Sequence, residues 1–283
     1  MSAKIIDGKD LAGRMKEKMK MEVQSLQSLG IKPGLAVIIV GDNPASRSYV
    51  TMKERDCAEI GMRSFEYAMP KDTKEIDLLE LIDQLNEDTQ VHGILVQLPL
   101  PGHMNEARVL ERIFPSKDAD AFHPQSAGQL FTGHPTFLPC TPAGIMEMLK
   151  DEGISIEGKE CVVVGRSNIV GKPMAVLLLQ ANGTVTICHS KTQNLQEVCK
   201  RADILVAAIG RANMIDSSYV KKGAVVIDVG MNRDENGKMV GDVHFDSVNQ
   251  VASYLTPVPG GVGPMTRAML LENTLKAARQ KVV

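Results

Sequence analysis

Two side chains four residues apart, Tyr49 and Lys53, form a combination that could transfer protons. They follow a predicted strand, and on a helix residues i and i+4 lie on one face. A lysine beside a phenol in a partly desolvated cleft has a lowered pKa and can exchange protons near neutral pH. Most Tyr/Lys pairs at this spacing lie on a solvated helix face, so the pair alone does not establish a catalytic site.

An amide and a carboxylate stand where regular structure is predicted to end. Gln97 closes an apolar run just before Pro99, which cannot donate within a sheet. Its amide suits a polar heterocycle or the ammonium of Lys53, and it could equally bond to loop backbone. Asp120, in KDADAFHP, could accept paired N–H donors from an aminopyrimidinone-like ring. Asp118 beside it is predicted to cap a turn.

A turn rich in small residues, GRSNIVGKP, follows the apolar run CVVV. Gly165, Ser167 and Gly171 would let the backbone approach a pyrophosphate at a helix N-terminus. The pattern is GxSxxxG where the common fingerprint is GxGxxG, and many glycine-rich turns only close a sheet. The motif is therefore weak evidence when taken alone.

The tip of the next predicted strand lacks an acidic residue. An NAD enzyme places a ribose-binding acid roughly 20 residues beyond the first turn. His189, Ser190 and Lys191 stand there, and Arg166 lies in the first turn. A 2′-phosphate would find donors and positive charge, although a single Lys or Arg is more often ordinary surface charge. We predict NADP in preference to NAD.

The elements that must position these residues alternate along the chain. Strands are predicted at 35–41, 63–69, 91–99, 159–165, 184–190, 202–210 and 223–230, and helices at 46–60 and 74–88. Residues 118–142 show no clear period and are predicted to form a long ordered connection, and Thr266 to Lys281 a helix. This order predicts the α/β class with parallel sheets.

One further segment has two possible roles, and the absence of other motifs disfavours several classes of site. The segment PGGVG at 259–263 permits either backbone approach to a flat ligand or a tight turn before the last helix. The six histidines form no HxxxH or HExxH pair, so no metal site is predicted. Neither GxSxG nor GxxxxGK[ST] occurs, which disfavours a serine hydrolase and a nucleoside triphosphatase.

Length, net charge and cysteine content narrow the classes of partner and the cellular compartment that we expect for this chain. The 283 residues suggest about two domains, and the net charge of −2 favours neither nucleic acid nor an anionic membrane surface. No apolar run could span a bilayer, and the first residues lack the core of a secretory signal, so we expect a cytoplasmic protein. Five cysteines without a CxxC pair predict buried, reduced thiols.

Taken together, these segments resemble the bifunctional methylenetetrahydrofolate dehydrogenase/methenyltetrahydrofolate cyclohydrolases. The resemblance covers nearly the whole chain in family order, through GDNPAS with Tyr49 and Lys53, VQLPLP, KDADAFHP, PCTP, GRSNIVGKP, CHSKT and PVPGGVGPMT. It implies two parallel-sheet α/β domains around a cleft, the second a Rossmann-like NADP-binding domain. It also implies a homodimer joined through the nucleotide-binding domains. The expected bounds are 1–139 for the catalytic and folate-binding domain, 140–269 for the NADP-binding domain, and 270–283 for a helix returning to the first domain.

The resemblance also implies a role for each matching residue. Lys53 matches the catalytic lysine, Tyr49 a substrate-stacking tyrosine, Gln97 the amide that tunes the lysine, and Asp120 the carboxylate that anchors the pterin-like ring. Val96 and Leu98 beside Gln97, and Pro259, Gly260, Gly261, Val262 and Gly263, are the other implied tetrahydrofolate contacts. Gly165, Arg166, Ser167, Ser190 and Met231 are the implied NADP contacts.

One departure from the family pattern stands beside Asp120. The family usually has KDVDGF, whereas Ala119 and Ala121 replace Val and Gly here. If that glycine needs a positive φ, Ala121 strains the backbone, and folate affinity or the cyclohydrolase rate is affected. Two alternatives stay open from the sequence: an NADP-linked dehydrogenase of another small substrate, such as a shikimate-type hydroxy acid, and a non-catalytic binder of folate or nucleotide.

Overall fold

The computed structural model of the chain describes residues 2–280, except the side chain of Ala45. The strands are β1 (Lys4–Ile5), β2 (Gly34–Val40), β3 (Arg63–Met69), β4 (Gly93–Val96), β5 (Glu160–Val164), β6 (Thr184–Cys188), β7 (Ile204–Ala207), β8 (Val225–Asp228), β9 (Asn232–Arg233), β10 (Met239–Val240) and β11 (Tyr254–Leu255). The helices are α1 (Gly8–Ser28), α2 (Pro44–Ile60), α3 (Glu75–Glu87), α4 (Glu106–Arg112), α5 (Pro124–Phe131), α6 (Cys140–Asp151), α7 (Gly171–Gln180), α8 (Leu195–Cys199), α9 (Phe245–Val248) and α10 (Val262–Arg279).

The chain forms two compact units. We call residues 2–12 with 141–266 the six-stranded unit, and residues 13–140 with 267–280 the three-stranded unit. The positions at which the chain passes from one unit to the other differ from the expected domain bounds mainly at the N-terminus. Residues 2–12 belong with the six-stranded unit because β1 pairs in parallel with β11, with Lys4 opposite Tyr254.

The six-stranded unit contains a parallel sheet in the order β1-β11-β8-β7-β5-β6. The strands β7 and β8 are buried along their whole length, as expected for parallel strands covered on both faces. β5 pairs with β6 on one side and with β7 on the other, so the strand order reverses beside it. Open α/β sheets bind dinucleotides at the carboxyl ends of strands at such a switch point.

The three-stranded unit has a parallel sheet in the order β3-β2-β4. All seven residues of the central β2 are buried, which explains its continuous run of aliphatic side chains. Ile38 is opposite Val96, and the backbone N–H of Gln97 donates to the Ile38 carbonyl at 2.8 Å. Gln97 is thereby fixed at the carboxyl end of β4, beside the carboxyl end of β2.

The predicted α/β class with parallel sheets is confirmed, and the predicted strands and helices occur with ends shifted by a few residues. The prediction of an irregular segment from 118 to 142 was wrong in part, because it contains α5 and the start of α6. α5 has eight residues, too few for a clear period, and begins at Pro124 after the cap His123, whose Nδ1 accepts from the Gln125 N–H. α10 begins at Val262, four residues before the predicted start, and Lys281 lies outside the described residues.

All five cysteines are buried and free, as the sequence predicted. Among the described helices, none combines the length and apolar character that crossing a membrane requires.

Candidate active site

The three-stranded unit brings Lys53 and Gln97 into direct contact. Both Tyr49 and Lys53 lie on α2, whose first turn is capped by the Asn43 side chain accepting from the Ser46 N–H at 3.2 Å. The Lys53 Nζ donates to the Gln97 Oε1 at 2.9 Å. The Gln97 Nε2 donates to the Leu98 carbonyl at 3.0 Å, so the amide oxygen is turned toward the lysine. Gln97 therefore holds the ammonium without supplying a negative charge.

Burial and the carboxylate of Asp120 shift the pKa of Lys53 in opposite directions. Burial lowers the pKa of Lys53; the carboxylate of Asp120 opposes that shift, and the charge of Arg267 adds to it. Burial raises the pKa of Asp120, while Lys53 counteracts it. Desolvation therefore moves both groups toward their neutral forms. A lysine in this setting releases its proton more readily than one in water.

Three side chains fix the backbone on either side of Asp120. The Asp118 Oδ2 accepts from the His123 N–H at 2.8 Å and from the Ser126 hydroxyl at 2.9 Å, so Asp118 holds the turn as predicted. The Asn273 Nδ2 of α10 donates to the carbonyls of Ala119 and Leu138, each at 2.8 Å. The position of Asp120 thus depends on α10 as well as on its own segment.

Ala121 has a φ of +58°, which places it in the left-handed region that favours glycine. The sequence analysis expected strain at Ala121 if the family's glycine position needs a positive φ. The backbone there does have a positive φ, and the residue is an alanine. Its methyl group is buried with Phe137 and Ala277 in a small apolar cluster. Packing of the methyl group therefore offsets part of the cost of the backbone conformation.

Arg267, Cys140 and Cys57 also influence the pKa of Lys53, and the sequence did not identify them as site residues. The Arg267 Nε donates to the Asp56 Oδ2 at 2.6 Å, and Lys16 contacts the other oxygen of Asp56 at 3.1 Å. Asp56 lies three residues after Lys53 on α2, a spacing that could have suggested a shared face. Cys140 is fully buried near Asp120, which helps to raise the pKa of its thiol well above the ordinary value.

The six-stranded unit forms a close turn after β5 that fits a dinucleotide. Gly165 has a φ of +142°, and a Cβ there would lie 2.2 Å from the Ala208 carbonyl oxygen. A Cβ on Gly171 would lie 2.3 Å from the Gly165 oxygen. The Ser167 hydroxyl accepts from the N–H groups of Val170 and Gly171 at the start of α7. The absence of side chains at Gly165 and Gly171 lets the backbone of this turn approach a pyrophosphate at the helix N-terminus.

The other implied NADP contacts lie at the same edge of the sheet. Arg166, Ser190 and Lys191 are exposed, and His189 Nδ1 accepts from the Lys191 N–H at 3.1 Å. No carboxylate stands between His189 and Lys191 at the tip of β6, so the donors there suit a 2′-phosphate. Met231 follows β8 and is 53% exposed, which is high for a methionine beside a buried strand.

The remaining implied substrate contacts lie at the ends of elements. Val96 is buried in β4 and Leu98 is partly buried after it. The segment 259–263 forms a tight turn into α10: Gly260 has a φ of +108°, and the Gly261 N–H donates to the Pro257 carbonyl at 2.9 Å. Val262 and Gly263 are the first residues of α10. A contact with a flat ligand stays a prediction for this segment.

Comparison with known proteins gives one consistent result. Residues 6–120 match the tetrahydrofolate dehydrogenase/cyclohydrolase catalytic domain, and residues 139–282 match its NAD(P)-binding domain. The bifunctional protein FolD of Acetivibrio thermocellus is 63% identical over 279 residues, covering 99% of this chain and 98% of that protein.

Two solved structures are also similar over nearly the full length. The FolD dehydrogenase/cyclohydrolase of Campylobacter jejuni has a TM-score of 0.97 at 51% identity, covering 99% of this chain and 100% of that one. The Trypanosoma brucei enzyme, solved with NADP and an inhibitor, has a TM-score of 0.96 at 39% identity, covering 100% and 99%. The chain therefore belongs to the tetrahydrofolate dehydrogenase/cyclohydrolase family, and it is a bifunctional, NADP-dependent enzyme of one-carbon folate metabolism.

Proposed function

We propose that Lys53, held by Gln97, transfers the proton in the hydrolytic half of the reaction. The enzyme oxidises 5,10-methylenetetrahydrofolate to the methenyl form and hydrolyses that product to 10-formyltetrahydrofolate. The observation that carries the proposal is the 2.9 Å hydrogen bond from Lys53 Nζ to an amide oxygen that brings no charge. It supports a lysine that is fixed in place and still able to lose its proton.

In the hydrolysis, water attacks the methenyl carbon and a C–O bond forms. Neutral Lys53 accepts the first proton that the water loses, and its ammonium form returns that proton to the ring nitrogen as the C–N bond breaks. The remaining hydroxyl proton leaves to solvent as the C=O bond of the formyl group forms, so the cationic substrate gives a neutral product and one released proton. The lowered pKa of Lys53, caused first by burial, makes the neutral form available. Gln97 accepts a hydrogen bond from the amine in either protonation state, so the side chain keeps its position through the cycle.

In the oxidation, NADP accepts a hydride when bound, and the protein binds and orients the reactants. Asp120 is proposed to anchor the pterin-like ring, and Tyr49 to stack on the substrate. Val96, Leu98 and the 259–263 segment are the further proposed substrate contacts. Arg166, Ser167 and Ser190 are proposed to bind the phosphates of NADP beside Gly165, with Met231 as an apolar contact.

The family membership disfavours a dehydrogenase of a shikimate-type hydroxy acid, and Lys53 with its partner disfavours a non-catalytic binder. A cytoplasmic location is supported by the five unpaired, buried thiols, which suit a reducing compartment. A homodimer joined through the six-stranded units is supported by the edge strand β6. Within residues 2–280 this strand pairs on one side only, and Ile187 and Leu179 near it are 42% and 61% exposed.

Replacing Lys53 tests the proton-transfer role. Lys53→Met and Lys53→Arg should each lower methenyl hydrolysis by about 100-fold or more, because neither side chain can accept a proton. NADP-dependent oxidation should continue, so that the methenyl absorbance band appears and persists. Arg55→Met, which removes an exposed cation from the same helix, is the control and should hydrolyse normally. Normal hydrolysis by either Lys53 variant would disprove the assignment.

Cofactor preference tests the role of the acid-free tip of β6. The wild-type enzyme should have a higher kcat/KM with NADP than with NAD. Arg166→Leu should lower kcat/KM for NADP by about 10-fold or more and leave that for NAD nearly unchanged, since only the 2′-phosphate contact is lost. Lys200→Leu removes an exposed charge elsewhere in the unit and should change neither value. A preference of the wild type for NAD would contradict the assignment.

Substitution of Ala121 tests the positive-φ position. Ala121→Gly should relieve backbone strain and lose one buried methyl group, so the free energy of unfolding should change by less than about 1 kcal/mol. Folate turnover should be kept or improved. Ala119→Gly is a matched control, because Ala119 is also buried but has no positive φ, and only loss of stability is expected there. A clear loss of turnover in Ala121→Gly alone would show that the alanine is required.

Size-exclusion chromatography with light scattering measures the mass of the protein in solution and tests the homodimer. The wild type should have twice the chain mass, and Ile187→Lys should yield the monomer, because a charge at the proposed interface would be buried without a partner. Leu29→Lys changes another exposed apolar residue, in the three-stranded unit, and should leave the dimer intact. A monomeric wild type would refute this interface.

A further inference from the structure

Two aspartates are buried together in the six-stranded unit. Asp228, the last residue of β8, is 3% exposed, and Asp242, which follows β10, is 0% exposed. Neither forms an ion pair with any described lysine, arginine or histidine. Burial, with a contribution from the Asp242 charge, raises the pKa of Asp228 to about 7. A buried carboxylate pair without a cation is costly, so its hydrogen bonds deserve a functional explanation.

Backbone N–H groups take the place of the missing cations. Asp228 accepts from the N–H groups of Gly230, Asp242 and Val243 at 2.9 to 3.0 Å. Asp242 accepts from the N–H groups of Ile209, Gly210 and Arg211 at 2.5 to 3.0 Å. It also accepts from the Asn232 side chain at 2.9 Å.

The backbone is shaped around both carboxyl groups. A Cβ on Gly230 would lie 2.4 Å from Asp242 Oδ1, and a Cβ on Gly241 would lie 1.7 Å from Asp228 Oδ2. Only glycine fits at either position without moving a carboxylate. The glycines and aspartates therefore form one built cluster, which we call the diacid cluster: Asp228, Gly230, Gly241 and Asp242.

The segments tied to Asp242 are those that approach the proposed cofactor residues. Residues 209–211 follow β7. Ile209 packs against the hydrophobic core of the unit, whereas Gly210 and Arg211 are exposed, and the hydrogen bonds to Asp242 hold their backbone. The preceding residue, Ala208, lies against the Gly165 turn, since a Cβ on Gly165 would lie only 2.2 Å from the Ala208 carbonyl oxygen. Met231 lies between Gly230, bonded to Asp228, and Asn232, bonded to Asp242.

We propose that Asp242 is a positioning residue for NADP, acting through the 209–211 loop and the Met231 loop without contacting the cofactor itself. Its carboxylate ties together the loops that follow β7 and β8, of which the first begins at Ala208 beside the Gly165 turn and the second carries Met231. The loops are thereby held in the bound geometry before NADP arrives, which lowers the ordering cost of binding. This inference rests on the proposed cofactor site.

Asp242→Asn is the main test, since it keeps the shape but points an N–H₂ donor at groups that are themselves donors. It should raise the Kd and KM for NADP by about 10-fold or more, the effect of losing one charge-assisted hydrogen bond. Hydrolysis of methenyltetrahydrofolate supplied directly should stay within about twofold, because that reaction uses no NADP. Asp246→Asn makes the same change at an exposed aspartate four residues away and should alter neither property.

Asn232→Ala is a milder variant that removes one donor to Asp242 and keeps the carboxylate. It should also raise the NADP Kd, by a smaller factor. If Asp242→Asn does not fold, this variant tests the positioning role of Asp242 in its place. An unchanged NADP Kd in a folded Asp242→Asn, or equal losses of NADP binding and hydrolysis, would overturn the proposal. Calorimetric titration with NADP needs no turnover, so a wild type that binds NADP but lacks oxidation would count against the proposed function alone.

Discussion

The hydrogen bond between Lys53 and Gln97 is the constraint on which the three-stranded unit's chemistry depends. It can form only if α2 and the end of β4 keep a fixed relation, and the parallel register of β2 with β4 provides that relation. The backbone bond from Gln97 to Ile38 then fixes the amide at the end of its strand. A shift of one residue in β4 would turn Gln97 to the other face of the sheet and leave the ammonium without its partner.

The protonation of Lys53 is a balance between burial and neighbouring groups, three of which lie on different segments of the chain. Asp120 lies in the connection after α4, Arg267 on α10 and Cys140 at the start of α6. Arg267 is itself held by Asp56 on the same helix as Lys53, so its charge is partly neutralised. A desolvated amine near one carboxylate and one paired guanidinium keeps both protonation states accessible, which is what a group that accepts and returns a proton requires.

The sequence was sufficient where the signal is local and repeated. Aliphatic runs such as Leu35 to Val40 identify buried strands, and the small residues of GRSNIVGKP identify the turn after β5. It was insufficient where a contact joins distant segments. Nothing near Arg267 indicates that it binds Asp56, 211 residues earlier, and nothing near Asn273 indicates its bonds to Ala119 and Leu138. The sequence did not predict the short helix α5, because eight residues give too few repeats of the helical period.

Buried carboxylates are satisfied in two different ways, and the difference bears on the net charge of −2. Asp56 is paired with Lys16 and Arg267, whereas Asp118, Asp228 and Asp242 are satisfied by N–H and O–H donors. The hydrogen-bond donors to these aspartates carry no net charge, so none of the three needs a lysine or arginine as its partner. Positive side chains such as Arg166 and Lys191 lie at the surface, where anionic ligands can reach them. A nearly neutral chain can in this way present local positive charge to phosphates without a basic composition.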